Sequence, residues 1–332
     1  MAGDDTLVPA GEALVDLLRL NGIDKVFSVP GESFLPVLEA LRQAPDIELV
    51  ICRQEGGVTM MAEAWGKLTG RPGVCFVTRG PGGANAIAGL HVASQDSTPL
   101  ILFVGQVPRD YLDREAWQEI DPRALYGSMT KWAAQIHDPA RLPEYVSRAF
   151  HTALAGRPGP VVLGLPEDML SVKVQVPALH RAPAVQSRPA PQAIASLQEM
   201  LASAERPLAI VGGVGWTAQA REQMHAFAAR NSLPVATAFR RQDRFDNTSP
   251  EYAGEAGLGI NPRLADRIRQ SDLLLAIGTR LGDVVTGHYQ LVSVPRPHQR
   301  LVHVHADLQE LGRVYQPDLA IGAGVVQCCA AL

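Results

Sequence analysis

The sequence predicts an α/β protein of two domains, each a parallel sheet between helical layers, and three features carry that prediction. Short apolar runs with no polar alternation take turns with helix-length segments. Gly- and Pro-containing turns follow many of the apolar runs. A Pro- and Ala-rich stretch, residues 177–192, breaks the pattern once and has no hydrophobic period of its own. Continuous apolar strands separated by helices are buried on both faces, which is the signature of parallel sheets.

Taken in order, the first half reads as helix Ala10–Asn21, strand Lys25–Val29, helix Phe34–Arg42, strand Ile47–Ile51 and helix Gly56–Thr69. It continues as strand Gly73–Val77, helix Asn85–Gln95, strand Leu100–Val104, helix Leu142–Ala155 and strand Pro160–Leu165. The second half has strands at Leu208–Val211, Leu233–Ala236, Leu273–Ile277 and Leu301–Val304, with a helix around Ala218–Arg230. The expected organisation is a first domain over residues 1–176, an extended linker over 177–192, and a second domain over 193–332.

Composition narrows the function classes. With 332 residues, 46% hydrophobic and 19% charged, the chain can build two ordinary cores. A net charge of −4 with no Lys/Arg block points away from nucleic acid and anionic membranes. No apolar run has the ~20 residues a bilayer span needs. The start of the chain is acidic and lacks a signal-peptide pattern, so the expected location is cytoplasmic. The four cysteines, Cys52, Cys75, Cys328 and Cys329, make no metal-ligand spacing and read as buried, reduced thiols. No metal site is expected within this chain.

Four turns at strand ends could share one rim. In Ile51-Cys52-Arg53-Gln54-Glu55-Gly56-Gly57 a carboxylate opens a helix just beyond a strand, where ligands of open α/β sheets bind. The plain structural reading is a glutamate favoured by the helix dipole. Val77-Thr78-Arg79-Gly80-Pro81-Gly82-Gly83-Ala84-Asn85 is a second strand–loop–helix junction, and it lacks the Lys-Ser/Thr of a P-loop. Val26-Phe27-Ser28-Val29-Pro30-Gly31-Glu32-Ser33 and Leu102-Phe103-Val104-Gly105-Gln106-Val107-Pro108-Arg109 are the other two. Each alone is also what an ordinary turn looks like.

In order, Val-Pro-Gly-Glu-Ser, Arg-Gln-Glu-Gly-Gly, Thr-Arg-Gly-Pro-Gly-Gly-Ala-Asn, Asp-Ser-Thr-Pro-Leu, Val-Gly-Gln-Val-Pro-Arg, Ala-Trp-Gln-Glu and Thr-Lys-Trp resemble the pyrimidine-binding domain of thiamine-diphosphate enzymes. The resemblance is to the acetolactate synthase (acetohydroxyacid synthase) large-subunit family. The second half resembles that family's central domain at Ile210-Val211-Gly212-Gly213, Leu274–Arg280, Val284–Gly287 and Val302–Asp307.

The resemblance implies a thiamine-diphosphate-dependent enzyme acting on 2-keto acids by carboligation. A related 2-keto acid decarboxylase or lyase is the alternative, and a non-catalytic nucleotide-binding module the second. Glu55 is implied as the carboxyl that hydrogen-bonds a pyrimidine nitrogen of the cofactor, which itself supplies the carbanion chemistry. Such a carboxyl needs shelter from water, which Val58, Met60 and Met61 are placed to give. Gln118, in Ala116-Trp117-Gln118-Glu119, matches a glutamine that reaches the active site, and Trp117 stands where phenylalanine is usual. Pro30, Gly31, Gly82 and Asn85 are implied beside the pyrimidine. His91 reads as a structural histidine and Lys131 as a surface charge.

Three positions depart from the family pattern in charge: Glu32 in Pro-Gly-Glu-Ser and Arg79 for a small serine each add one, and Glu167 for a lysine reverses one. The resemblance leaves FAD open, with Ser97, Gly212, Gly213, Gly278, Thr279, Arg280 and Asp307 as its candidates. His305 stands where that family has an acid. The diphosphate and Mg²⁺ are expected on a third domain, with a Gly-Asp-Gly segment absent here, carried by the same or a separate chain. The implied assembly is a homodimer or tetramer.

Overall fold

The computed structural model describes residues 7–181 and 183–332. The acidic start of the chain, Met1–Thr6, and Ala182 in the Pro/Ala-rich stretch lie outside the described residues. The chain divides into two compact units, Met1–Ala184 and Val185–Leu332.

The first unit opens with β1 (Leu7–Pro9) and α1 (Ala10–Leu20), then β2 (Lys25–Ser28), α2 (Leu35–Arg42), β3 (Glu48–Ile51), α3 (Glu55–Thr69) and β4 (Gly73–Val77). It continues with α4 (Gly80–Asn85), α5 (Ile87–Asp96), β5 (Leu100–Gln106), α6 (Pro122–Tyr126), β6 (Trp132–Gln135), α7 (Leu142–Leu154), β7 (Pro160–Pro166) and β8 (Lys173–Gln175). Six strands form one parallel sheet in the order β3-β2-β4-β5-β7-β6. β1 and β8 make a separate antiparallel pair.

The apolar runs become the central strands: β4, β5 and β7 are buried at every residue. Alternate residues of a strand face opposite layers. Phe76 and Phe103 stack at 4.8 Å on one face, with Phe34 beside Phe76, and pack against Leu14, Val37, Val146 and Phe150 of α1, α2 and α7. Cys75, Val77, Leu102 and Val104 face the other way, onto Val58 and Ala62 of α3 and Leu90 and Ala93 of α5. That is the three-layer arrangement the sequence predicts.

The second unit holds α8 (Pro191–Ala202), β9 (Pro207–Val211), α9 (Ala218–Asn231), β10 (Val235–Ala238), β11 (Tyr252–Ala256), α10 (Pro262–Arg269), β12 (Leu273–Ile277), β13 (Arg300–His305), β14 (Leu319–Gly322) and α11 (Val325–Cys329). Its six strands are parallel in the order β11-β10-β9-β12-β13-β14. α8 begins at Pro191, inside the Pro/Ala-rich stretch, because proline is compatible with the first turn of a helix.

Some elements differ from the sequence reading. The helix expected over Asn85–Gln95 is α5, Ile87–Asp96, and a short helix that was not expected, α4, precedes it across Ala86. Pro81 and three glycines start helical structure earlier than an apolar period can reveal. Strands β6, β11 and β14 were not expected; they are short and carry little or no continuous apolar run. Cys52 is only half-buried, contrary to the buried thiol expected, whereas burial pushes the Cys328 and Cys329 thiols up to about 12.

Candidate active site at the carboxyl rim of the first sheet

From β2 the chain steps to β3 on one side and then to β4 on the other, so the sheet order switches direction between β2 and β4. A crevice opens beyond the strand ends at such a point. α3 packs across β2 and β4 and brings its N-terminus to this rim. Gln54 caps that helix by accepting a hydrogen bond from Gly57 N at 2.9 Å, and Gly70, left-handed at φ 69°, ends it. Glu55 is therefore the first residue of α3, at the positive end of its dipole.

The Gly-rich loop after β4 closes on this carboxyl. Asn85 Nδ2 donates to Glu55 Oε2 at 3.1 Å. Among the described residues no donor claims Oε1. A Cβ built on Gly82 would stand 3.5 Å from Glu55 Oε1 and 2.9 Å from Thr78 Cγ2. Gly31, beyond β2, lies so close that a Cβ there would fall 2.6 Å from Thr78 Cβ. Ser33 and Thr78 join their hydroxyls at 3.0 Å. Glu55, Gly31, Gly82 and Asn85 thus meet around Thr78, a residue the sequence reading did not single out. Its only signal was its place directly after β4. Pro30 is exposed beside Gly31.

Gln118 is left-handed at φ 66°, and its carbonyl accepts from Gly80 N at 2.9 Å. Glu119 holds the same loop by accepting from Asp113 N and Ala116 N at 2.8 and 2.9 Å. Gln118 is thereby tied to the start of α4, and Trp117 beside it is 75% exposed. A cleft of about 440 Å³ lies next to this loop, lined by residues such as Asp113, Ile120, Gln135 and His137; Glu55 is not in its lining.

The expected shelter of Glu55 is only partly met. Val58 is buried, but Met60 and Met61 are 40% and 42% exposed, because they lie on the face of α3 turned away from the sheet. Glu55 itself is half-buried. His91 is exposed on α5, and Lys131 Nζ donates to Ala155 O at 2.6 Å.

The three departing charges come together. Arg79 is buried, forms an ion pair with Glu167 beyond β7, and has a second with Glu32 at 3.4 Å. Nearby, Arg109 pairs with Asp168 at 2.7 Å.

In the second unit the order switches between β9 and β12, and the turns after these strands carry Gly212, Gly213 and Gly278. The two turns pack backbone against backbone: a Cβ on Gly213 would fall 2.0 Å from Gly278 O. Thr279 is buried, and its carbonyl accepts from His303 Nε2 at 2.9 Å. Desolvation lowers His303 to about 4, so its ring is neutral. Arg280 lies 3.5 Å from the buried carboxylate of Glu310. Asp307 accepts from Gln309 N at 3.0 Å, and its own N–H donates to His305 Nδ1. Ser97 belongs to the first unit, just before β5 and thus at the sheet end opposite the rim, where Arg157 Nε donates to its hydroxyl at 2.9 Å. Among the described residues no group of three or more His, Cys, Asp or Glu is arranged to hold a metal ion.

Two family models match this chain. Residues 9–125 match the thiamine pyrophosphate enzyme N-terminal TPP binding domain, and residues 194–332 match the thiamine pyrophosphate enzyme central domain. The chain belongs to the thiamine pyrophosphate enzyme family. It is 33% identical to the acetolactate synthase large subunit of Parasynechococcus marenigrum, over 95% of this chain and 52% of that protein. It is 31% identical to the large subunit from Corynebacterium glutamicum, over 93% of this chain and 50% of that one. The acetolactate synthase isozyme 2 large subunit of Escherichia coli is 30% identical, over 93% and 56% respectively. The chain spans about half the length of the curated relatives it matches. Among the described residues no helix is long and apolar enough to cross a membrane.

The matched boundaries place the rim in the domain that the family model describes as TPP-binding: Gly31, Glu55, Thr78, Gly82, Asn85 and Gln118 all fall within residues 9–125. The Gly-rich turns of the second unit fall within the central domain.

Proposed function

We propose that this chain forms the pyrimidine-binding and central domains of a thiamine-diphosphate-dependent enzyme that joins 2-keto acids, as the name acetolactate synthase describes. One observation carries the reading: at the switch point of the first sheet, Glu55 keeps one carboxyl oxygen on Asn85 while the other faces a cradle that a Cβ at Gly82 would fill. Thiamine diphosphate, when bound, supplies a carbanion equivalent that no protein side chain can. The residues present fit its pyrimidine ring. Glu55 is the acid for a ring nitrogen, Gly31 and Gly82 leave room for a flat ring, and Asn85 holds the carboxyl in place. Gln118 reaches the substrate side of the same rim.

The diphosphate and Mg²⁺ belong, in this reading, to a third domain in the same or a separate chain. A second copy laid over α3 supplies the missing shelter, since Met60, Met61 and Leu68 leave an apolar face exposed there. The homodimer or tetramer and the cytoplasmic location are part of this proposal. A flavin is not. The Asp307 carboxylate accepts from Gln309 N and the glycine turns pack on each other, which argues against a dinucleotide at this place.

The test is product analysis by the intact enzyme with thiamine diphosphate, Mg²⁺ and pyruvate alone. Acetolactate supports carboligation. Acetaldehyde and carbon dioxide without acetolactate favour the decarboxylase alternative, and no turnover of any 2-keto acid overturns the reading.

A further inference from the structure

α4 is a poor helix by composition. Four of its six residues, Gly80-Pro81-Gly82-Gly83, are glycine or proline. Glycine costs about 1 kcal/mol relative to alanine in a helix interior. The glycines are nonetheless required by close approach. A Cβ on Gly80 would sit 2.9 Å from Gln118 O, and one on Gly83 2.4 Å from the buried Tyr126 hydroxyl. Such a segment keeps its shape only if something outside it holds it.

Arg79 is the residue that precedes α4, and its carbonyl accepts from Gly83 N at 2.8 Å. Its side chain is 10% exposed and is paired with Glu167 beyond β7 and Glu32 beyond β2. These carboxylates come from strands on both sides of β4. Its Nε is buried and has no acceptor among the described residues.

We infer that Arg79 is a positioning residue: anchored by Glu167, with Glu32 as the weaker partner, it fixes the start of α4 and thereby holds Asn85 against Glu55. Breaking the pair lets the glycine segment relax, and the 3.1 Å contact between Asn85 and Glu55 is lost while the sheet stays intact. The cofactor arm of the test rests on the proposed role of Glu55; the exchange arm does not.

Amide hydrogen exchange on the folded chain reads the anchor directly. In Arg79→Met and in Glu167→Gln, Gly83 and Ala86 exchange about tenfold faster or more, since removing one partner of a buried pair is costly. Amides of β5 keep wild-type rates, and Arg79→Lys restores protection in part. Should Arg79→Met fail to fold, Glu167→Gln breaks the same pair from its more exposed side. The double variant Arg79→Met/Glu167→Gln separates anchoring from plain stability: with no buried charge left over, its thermal midpoint recovers, but α4 still exchanges fast. In the intact enzyme the same variants bind thiamine diphosphate about tenfold more weakly. Wild-type exchange at Gly83 and Ala86 in both single variants overturns the inference. So does faster exchange spread evenly through β5, whereas a loosened α4 with unchanged cofactor affinity keeps the anchor and overturns the role proposed for Glu55.

Discussion

Asn85 Nδ2 donates a hydrogen bond to Glu55 Oε2 across 3.1 Å, joining residues 30 positions apart that come from different strand–helix junctions. The contact makes one unit of two motifs that are each ambiguous alone. A glutamate at a helix start is ordinary, and so is an asparagine at the end of a Gly-rich turn. Held together at the switch point of a parallel sheet, they form a carboxyl of fixed orientation with one oxygen to spare.

Asn85→Ala removes that donor. Hydrogen bonds to charged groups contribute about 1.5–3 kcal/mol, and exposure of Asn85 puts this one at the lower end. Thiamine diphosphate affinity of the intact enzyme should fall about tenfold with little change in thermal midpoint. Calorimetric titration checks the affinity and a thermal melt the midpoint; equal affinity would mean that Asn85 does not orient the carboxyl.

Gly213→Ala should unfold the second unit or nearly so. Gly213 is left-handed at φ 71°, and a Cβ there meets the carbonyl oxygen of Gly278 at 2.0 Å, backbone against backbone with no side chain to swing away. A loss of about 3 kcal/mol or more is expected. Denaturant unfolding followed by Trp216 fluorescence measures it, and a midpoint like wild type would contradict the close packing.

His303 makes stability depend on pH. Burial holds its folded pKa at about 4, below the ordinary 6.5, so the unfolded chain binds the extra proton first. The stabilisation is full above about pH 6.5 and is lost as pH falls toward 4, by roughly 3 kcal/mol across that window. His303→Gln, which keeps a donor for Thr279 O, should flatten this part of the profile. Thermal midpoints recorded from pH 7 to pH 4 decide it; parallel profiles would remove His303 as the cause.

The sequence showed the fold class because parallel strands bury both faces and so read as plain apolar runs, as in Leu100–Val104. It showed the placement of Glu55 because a carboxylate that opens a helix four residues past a strand stands at the strand's carboxyl end, which is the rim. It did not show edge strands such as Tyr252–Ala256, whose Gly-Glu pair lacks an apolar run. Nor did it show that Arg79, Glu32 and Glu167 meet. They are as much as 135 positions apart in sequence, and the sheet order that brings their strand ends together is a tertiary fact. The exposure of Met60 and Met61 was hidden for a related reason. An apolar residue one step round a helix from the core looks the same in sequence as one inside it.

The most direct test of the central claim is Glu55→Gln in the intact enzyme, read by hydrogen–deuterium exchange at C2 of bound thiamine diphosphate. Glutamine keeps the size and most of the hydrogen-bonding capacity but cannot supply the acid. Exchange should slow by about 10²–10⁴-fold, the usual weight of a general acid–base group, with the cofactor still bound. Exchange at the wild-type rate, with the cofactor bound, would show that Glu55 does not activate it.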